Sequence, residues 1–248
     1  MTDLTGRTAL VTGATSGIGK ATALALAAAG AEVAVSGRDK AKGDEVVTAI
    51  RSAGGSATFL AADLAKEGAA ADLARRASEA LGGRVDILVN DAGGFPFGPT
   101  ASFGEADFDA AYALNVRAPF FLVATLAPGM AERGSGTIVN VSTMVATFGA
   151  EQMGLYGSTK AALELLTKSW AAEFGPHGVR VNAISPGPTR TEGTAAMGDA
   201  LDQLASLAPA GRPATAEEIA AAILFLVGDD ASFVQGHVLA ADGGRAAT

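Results

Sequence analysis

The chain predicts an α/β fold, a doubly wound parallel sheet of about seven strands with helices on both faces. Three observations predict it. Short apolar runs alternate with longer helical patterns from end to end. Most of these runs are continuously apolar, as strands covered on both faces require. The first run then passes through a glycine-rich turn directly into a helical pattern, the opening of a strand–helix–strand unit.

In order, strands are expected at "RTALVTG" (Arg7–Gly13), "AEVAVSG" (Ala31–Gly37), "ATFLAAD" (Ala57–Asp63), "VDILVN" (Val85–Asn90), "GTIVNVS" (Gly136–Ser142), "VRVNAIS" (Val179–Ser185) and "HVLAADG" (His237–Gly243). Between them, "GKATALALAAAG" and "DLARRASEALGG" read as helices that stop at glycine, a common helix terminator. The least regular stretch, Pro186–Pro213, is rich in Gly, Pro, Ala and Thr and reads as a long lid or binding loop. No linker or internal repeat divides the chain, so a single dinucleotide-binding and catalytic domain over residues 1–248 is expected.

Composition narrows the function. The chain is 49% hydrophobic and 18% charged, enough apolar mass for a packed core. Its net charge of −8 argues against nucleic acid, whose phosphates select basic surfaces. There is no cysteine, hence no disulfide or thiol chemistry, and the histidines are only His177 and His237. No metal site is expected from that set. The start, "MTDLTGRTALVTG", lacks a basic segment followed by a long apolar run, so no signal peptide is expected. No apolar stretch approaches the roughly 20 residues that span a bilayer. The expectation is therefore a cytoplasmic protein with no membrane partner.

The turn after the first strand, "TGATSGIG", carries Gly13, Gly17 and Gly19 with Ser16 and Ile18 among them. Small residues there let the backbone approach a pyrophosphate, and the helix N-terminus adds free N–H groups and partial positive charge. The spacing is GxxxGxG, not GxGxxG. At the end of the second strand, "VAVSGRD" puts Gly37 where an acid would bond the ribose 2′-OH of NAD(H), and Arg38 next to it. NADP(H) is favoured, with NAD(H) the alternative. Asp39 reads as a helix cap.

"LYGSTKAAL" sets Tyr156 and Lys160 four residues apart on a helical pattern, in a chain with two tyrosines. Residues at this spacing share a helix face. A lysine ammonium there stabilises a phenolate and is expected to pull the tyrosine below its free pKa of about 10. Such a phenol can give a proton to a carbonyl oxygen or take one from an alcohol.

The ordered set "TGATSGIG", "VDILVNDAGG", "YGSTK", "VNAISPGPTRT" and the C-terminal "RPATAEEIAAAILFLVGDDASFVQGHVLAADGG" resembles the short-chain dehydrogenase/reductase family in its single-domain form, with a Rossmann-type sheet. The resemblance spans nearly the whole chain. It implies that Tyr156 is the acid/base, that Lys160 lowers its pKa and bonds the nicotinamide ribose, and that Asn115 belongs to a water-holding proton relay. It implies a hydroxyl just after the fifth strand to orient the substrate oxygen; Thr143 is expected, with Ser142 the alternative. Asp63 and Leu64 would contact the adenine. Asn90, Ala92 and Gly93 would lie against the adenosine ribose, and Pro186, Gly187 and Thr189 would cover the nicotinamide and pyrophosphate. Asp91 departs from the family's asparagine, placing a carboxylate near the cofactor that either weakens binding or is tied to a backbone N–H.

The implied substrate is a small carbonyl or secondary alcohol. Its walls would include Gly94, Phe95, Pro96, Phe97, Met144, Met153 and Leu155, an apolar set. A homo-oligomer, tetramer or dimer, is implied, and the apolar stretches "AALELLTKSWAAEF" and "ILFLVGDDASFVQGHVLAADGG" agree with one. Two alternatives stay open: a non-catalytic NAD(P)-binding sensor or scaffold, and a cofactor-free lyase on the same fold.

Overall fold

The computed structural model describes residues 2–248. Among the described residues there are nine strands: β1 (Thr8–Val11), β2 (Glu32–Gly37), β3 (Ser56–Ala61), β4 (Ile87–Asn90), β5 (Gly136–Val141), β6 (Val179–Pro186), β7 (Thr189–Arg190), β8 (Ala214–Thr215) and β9 (Val238–Ala241). Seven form one sheet in the order β3-β2-β1-β4-β5-β6-β9, with every pairing parallel. All seven expected strands are present, trimmed or shifted by a few residues at their ends. The two-residue β7 and β8 pair with each other apart from that sheet.

Successive strand residues point to opposite faces, so each buried strand feeds two layers. Ala9, Val11, Val33, Val35, Ile87 and Val89 pack with α1 (Gly17–Ala28), α2 (Lys40–Ser52) and, further along the sheet, α8 (Ala216–Val227). Their neighbours Leu10, Ala34, Leu88 and Ile138 pack on the other side with α3 (Ala69–Ala80), α5 (Ala118–Glu132) and α6 (Gly154–Phe174). This double coverage is why the strand sequences are apolar runs. Leu26 of α1 and Leu122 of α5 lie fully in these layers, and truncating either to alanine would cost about 2–5 kcal/mol.

Two expectations need correction. The stretch Pro186–Pro213 is not a featureless loop. It holds β7, a 3-10 segment at Glu192–Met197 and the short helix α7 (Asp199–Ala205). Thr191 starts the 3-10 segment by capping the Thr194 N–H with its side chain, a local bond that Gly/Thr-rich composition conceals. Second, α4 (Glu105–Tyr112) runs without a break through a π-helical turn at Ala113–Arg117 into α5. The resulting helix, Glu105–Glu132, is long and apolar enough to cross a membrane by length and composition. Here Leu122, Val123, Leu126 and Met130 are buried against the sheet, the use a core helix makes of such a face.

Candidate active site

In the sheet order, β1 is flanked by β2 on one side and β4 on the other, so the chain direction of the winding reverses there. Ligands bind at the carboxyl ends of strands at such a point. A cleft of about 540 Å³ opens there. Its walls come from the β1–α1 turn, the ends of β2 and β3, the segments after β4 and β5, the first turns of α6, and the segment after β6.

The glycine turn forms one wall, with Gly13, Ser16, Gly17 and Ile18 facing the cleft. Gly19 lies beneath it. A Cβ at Gly19 would stand 2.5 Å from the Gly13 carbonyl oxygen and 2.6 Å from Asp91 Oδ2, so only glycine fits. Ser16 occupies the N-cap of α1 in an extended conformation, yet its side chain caps nothing. The first N–H groups of α1 are thereby left to other partners, the condition for anion binding at a helix N-terminus.

Gly37 at the end of β2 abuts Thr15: a Cβ there would lie 2.5 Å from the Thr15 methyl. Thr15 thus fills the space an acidic side chain would need. Arg38 follows on the cleft wall, and Asp39 caps α2 through the Lys42 N–H at 3.2 Å. Asp63 and Leu64 also line the cleft, and Asp63 faces the Lys66 ammonium at 3.8 Å. Ala92, Gly93, Pro186, Gly187 and Thr189 line it as well.

Asn90 does not. It is paired in register with Asn140 of β5 and buried, and its amide donates to Asn140 Oδ1 at 2.8 Å. Asn140 in turn donates to Thr167 Oγ1 of α6 at 2.8 Å. Its side chain belongs to a polar chain crossing the sheet into α6. The side-chain face at the end of a four-residue strand depends on register, which sequence alone left open.

Thr143, Tyr156 and Lys160 meet on one wall of the cleft. Thr143 faces the phenol, whereas Ser142 is buried and donates to Glu164 Oε1 at 2.6 Å. The two consecutive hydroxyls thus point to opposite sides, as extended backbone dictates. Lys160 is 4% exposed and donates to the Val141 carbonyl at 2.8 Å, tying α6 to the end of β5. Phe95 packs edge-on against Tyr156, ring centres 4.8 Å apart.

The electrostatics overturn one expectation. Burial pushes the Tyr156 phenol up to about 12; the Thr143 hydroxyl opposes the rise and the Asp91 charge adds to it. Lys160 is brought down to about 8 by burial, with Asp91 opposing. In the protein without cofactor, burial therefore holds the phenol above its ordinary value.

Asn115 sits in the π-helical turn, which supplies the local reason for an asparagine in an apolar helix. It is buried under the cleft floor. Its Oδ1 accepts from Gly94 N–H at 2.8 Å, and its Nδ2 donates to the Gly94 carbonyl at 2.9 Å and to Thr159 Oγ1 at 3.0 Å. A Cβ on Gly93 would lie 3.3 Å from both Asn115 Oδ1 and Lys160 Nζ, so the amide and the ammonium are close neighbours.

Several contributors were not singled out from sequence. Thr12 Oγ1 accepts from both the Asp91 and Ala92 N–H groups at 3.1 Å, shaping the turn after β4. Glu192, across the cleft, accepts from the Gly17 N–H at 2.9 Å. Thr12 sits inside the glycine motif and could have been weighed there; Glu192 lies 175 residues from its partner and carries no local signal. Of the expected apolar walls, Gly94, Phe95, Met144 and Met153 line the cleft, joined by Val145 and Met197 from outside that set. Pro96, Phe97 and Leu155 do not face it.

The glycine cradle, the open α1 N-terminus and the row of small residues after β4 and β6 fit an extended dinucleotide. Comparison with known proteins agrees. The family described as Enoyl-(Acyl carrier protein) reductase matches residues 13–246. An uncharacterized oxidoreductase of Thermotoga maritima is 41% identical over 98% of each chain. A solved structure described as a short chain dehydrogenase/reductase family protein is 48% identical, covering 99% of this chain and 100% of that one, with a TM-score of 0.92. A 3-oxoacyl (acyl-carrier-protein) reductase from Agrobacterium tumefaciens C58, solved with NADP bound, is 33% identical over 98% of this chain and 95% of its own, with a TM-score of 0.93. With its parallel sheet, its glycine turn and this kinship, the chain belongs to the short-chain dehydrogenase/reductase family, as an NAD(P)-dependent oxidoreductase acting on CH–OH and C=O groups.

Proposed function

We propose that the chain is an NADP(H)-preferring reductase or dehydrogenase of a small, largely apolar carbonyl or secondary alcohol, with Tyr156 as general acid/base. The observation that carries this reading is the meeting of Thr143, Tyr156 and Lys160 on one wall of the cleft that the glycine turn enters. When bound, the nicotinamide supplies or accepts the hydride. The chain's own residues position and exchange the proton. Thr143 Oγ and the Tyr156 hydroxyl converge on the substrate oxygen and orient it. In reduction, the protonated phenol gives that oxygen its proton. In oxidation, the phenol must first lose its proton, which the Lys160 ammonium favours. Lys160 also presents donors to the cofactor's ribose. Asn115 fixes the backbone of Gly94 at the mouth of the cleft and borders Lys160, consistent with a supporting place in proton relay.

NADP(H) preference is supported by Arg38 on the wall and by Thr15 filling the space beside Gly37 that an acid would take. Asp63, Leu64, Ala92, Gly93, Pro186, Gly187 and Thr189 would hold the remainder of the dinucleotide. Substrate breadth toward apolar groups is supported by Phe95, Met144, Met153 and Met197. We place this activity in one domain of a homo-oligomer; the exposed Phe120, Phe121, Leu165, Phe225 and Phe233 support association between copies.

The test is Tyr156→Phe, assayed on a carbonyl and alcohol panel with NADPH fluorescence titration alongside. Turnover should drop by about 10²-fold or more, the scale of general acid–base catalysis. NADPH affinity should stay within about twofold, since uniform binding is untouched. Turnover at the wild-type rate would overturn the role given to the phenol and favour a nucleotide-binding protein whose function needs no proton donor.

A further inference from the structure

Asp91 is a half-buried carboxylate that the reaction above does not use. It follows β4 and points under the glycine turn: Oδ2 would lie 2.6 Å from a Cβ on Gly19 and 3.0 Å from one on Gly13. Its main chain is held from below by Thr12 Oγ1. At that position its side chain lies beside the Gly19 N–H, in the first turn of α1, a donor that an N-cap side chain ordinarily satisfies and that Ser16 leaves open. The carboxylate therefore stands where a cap would, supplied from the segment after β4. The ionisable groups that reach it are Lys160 and Tyr156, both on α6, while α1 contributes the Gly19 N–H.

We infer that Asp91 is a positioning residue that locks the first turn of α1 to the Tyr156–Lys160 wall, and that its negative charge restrains affinity for the anionic dinucleotide. The reasoning is electrostatic. A helix N-terminus attracts phosphate through its partial positive charge. A carboxylate seated inside the first turn subtracts from that attraction. The family's usual asparagine would make the same hydrogen bond without the charge. The inference builds on the cofactor site proposed above.

Its pH dependence has a definite sign. Burial raises the Asp91 carboxyl to about 7, against the pull of Lys160 and of the Gly19 N–H. The group is neutral below that pH and charged above it. Cofactor binding should weaken as pH rises through neutrality, and folding stability should fall over the interval between the ordinary carboxylate range and about 7.

The experiment compares wild type with Asp91→Asn, by NADPH fluorescence titration at pH 6 and pH 8 and by thermal melting at pH 5 and pH 8. Asparagine keeps an acceptor for the Gly19 N–H and removes the charge. The variant should bind NADPH on the order of tenfold more tightly than wild type at pH 8 and within about twofold of it at pH 6. Using one ligand for both proteins cancels the titration of the cofactor's own phosphates. Its melting temperature should gain more at pH 8 than at pH 5. An affinity ratio equal at the two pH values would overturn the inference, as would failure of the amide variant to fold. Binding and melting need no turnover. An active Tyr156→Phe with pH-dependent gains in Asp91→Asn would therefore sink the catalytic reading and leave this one standing.

Discussion

The floor of the cleft and its lid are built by opposite means. On the floor, the Gly13–Gly19 turn rests on β1 and β4 with contacts so close that a Cβ at Gly19 has nowhere to go. Thr12, Asp91 and Ala92 tie the two strand ends together through buried or half-buried hydrogen bonds. The lid, from Thr189 to Leu204, is anchored at its ends by the buried Thr189 and Leu201 and held between them by polar contacts on exposed or half-exposed groups. Thr194 bonds back to Thr189 and Thr191, Arg190 pairs with Asp202 at 2.8 Å, and Glu192 reaches the Gly17 N–H. Steric exclusion with no slack makes a fixed surface, since packed interiors cannot absorb an added methyl. Exposed ion pairs contribute about 0–1 kcal/mol each, so the lid's polar middle can be released at small cost. Substitutions on the floor should therefore change whether cofactor binds, and those on the lid how readily.

The largest expected effect is at Gly19. Gly19→Val would drive its side chain into the Gly13 carbonyl and the Asp91 carboxylate. The turn would have to shift, at about 1–3 kcal/mol of stability or more, and the N–H groups aimed at the pyrophosphate would move with it. NADPH titration should show affinity lowered by about two orders of magnitude or more, a loss above 2.7 kcal/mol. Near-normal affinity would mean that the floor is as compliant as the lid, and the contrast would collapse.

An intermediate effect belongs to the rim. Arg38 is on the cleft wall but exposed, so its charge acts through a wetter medium than Asp91. Arg38→Asp should leave folding intact and lower the NADPH-to-NADH ratio of kcat/KM by on the order of tenfold, about 1.4 kcal/mol. A ratio that does not move would show that Thr15 and Gly37, not Arg38, set the preference.

The same contrast explains what could be read from sequence. The floor was legible because close approach leaves a residue-type signature: Gly13 and Gly17 take positive φ, and a Cβ on Gly13 or Gly19 would strike backbone, so these positions require glycine. Tyr156 and Lys160 were legible because helical spacing puts them on one face. Thr143 over Ser142 followed from counting and from the alternation of extended backbone. Asn90 was misplaced because its side-chain face depends on pairing with Asn140, a partner 50 residues away. The acidity assigned to Tyr156 failed for a related reason. Spacing reveals a nearby cation but not the burial that raises the phenol's pKa. The lid was read as loop because its order comes from a Thr191–Thr194 cap and a contact to Gly17, neither of which changes composition.

The smallest expected effect tests the lid itself. Glu192 holds its carboxylate on the Gly17 N–H, one of the first donors of α1 and so one of those a pyrophosphate would use. Its carboxyl is lowered by its own backbone N–H, by the Gly17 N–H and, more weakly, by Lys20 and Lys42, against a small opposing effect of burial. A depressed carboxylate stabilises the contact above its unfolded pKa and loses that stabilisation as pH falls through the folded value. At neutral pH the contact is present, and arriving cofactor must displace it. Glu192→Gln keeps an oxygen for the N–H but removes the charge. Stopped-flow NADPH association should speed up by about two- to threefold at low salt, with the difference fading as salt screens it. Glu192→Ala should behave alike, because the competition, and no framework role, is what is lost. If both variants instead slow association or destabilise the fold by more than about 1 kcal/mol, the lid is anchored as firmly as the floor, and the Glu192–Gly17 bond belongs to the scaffold and not to a gate.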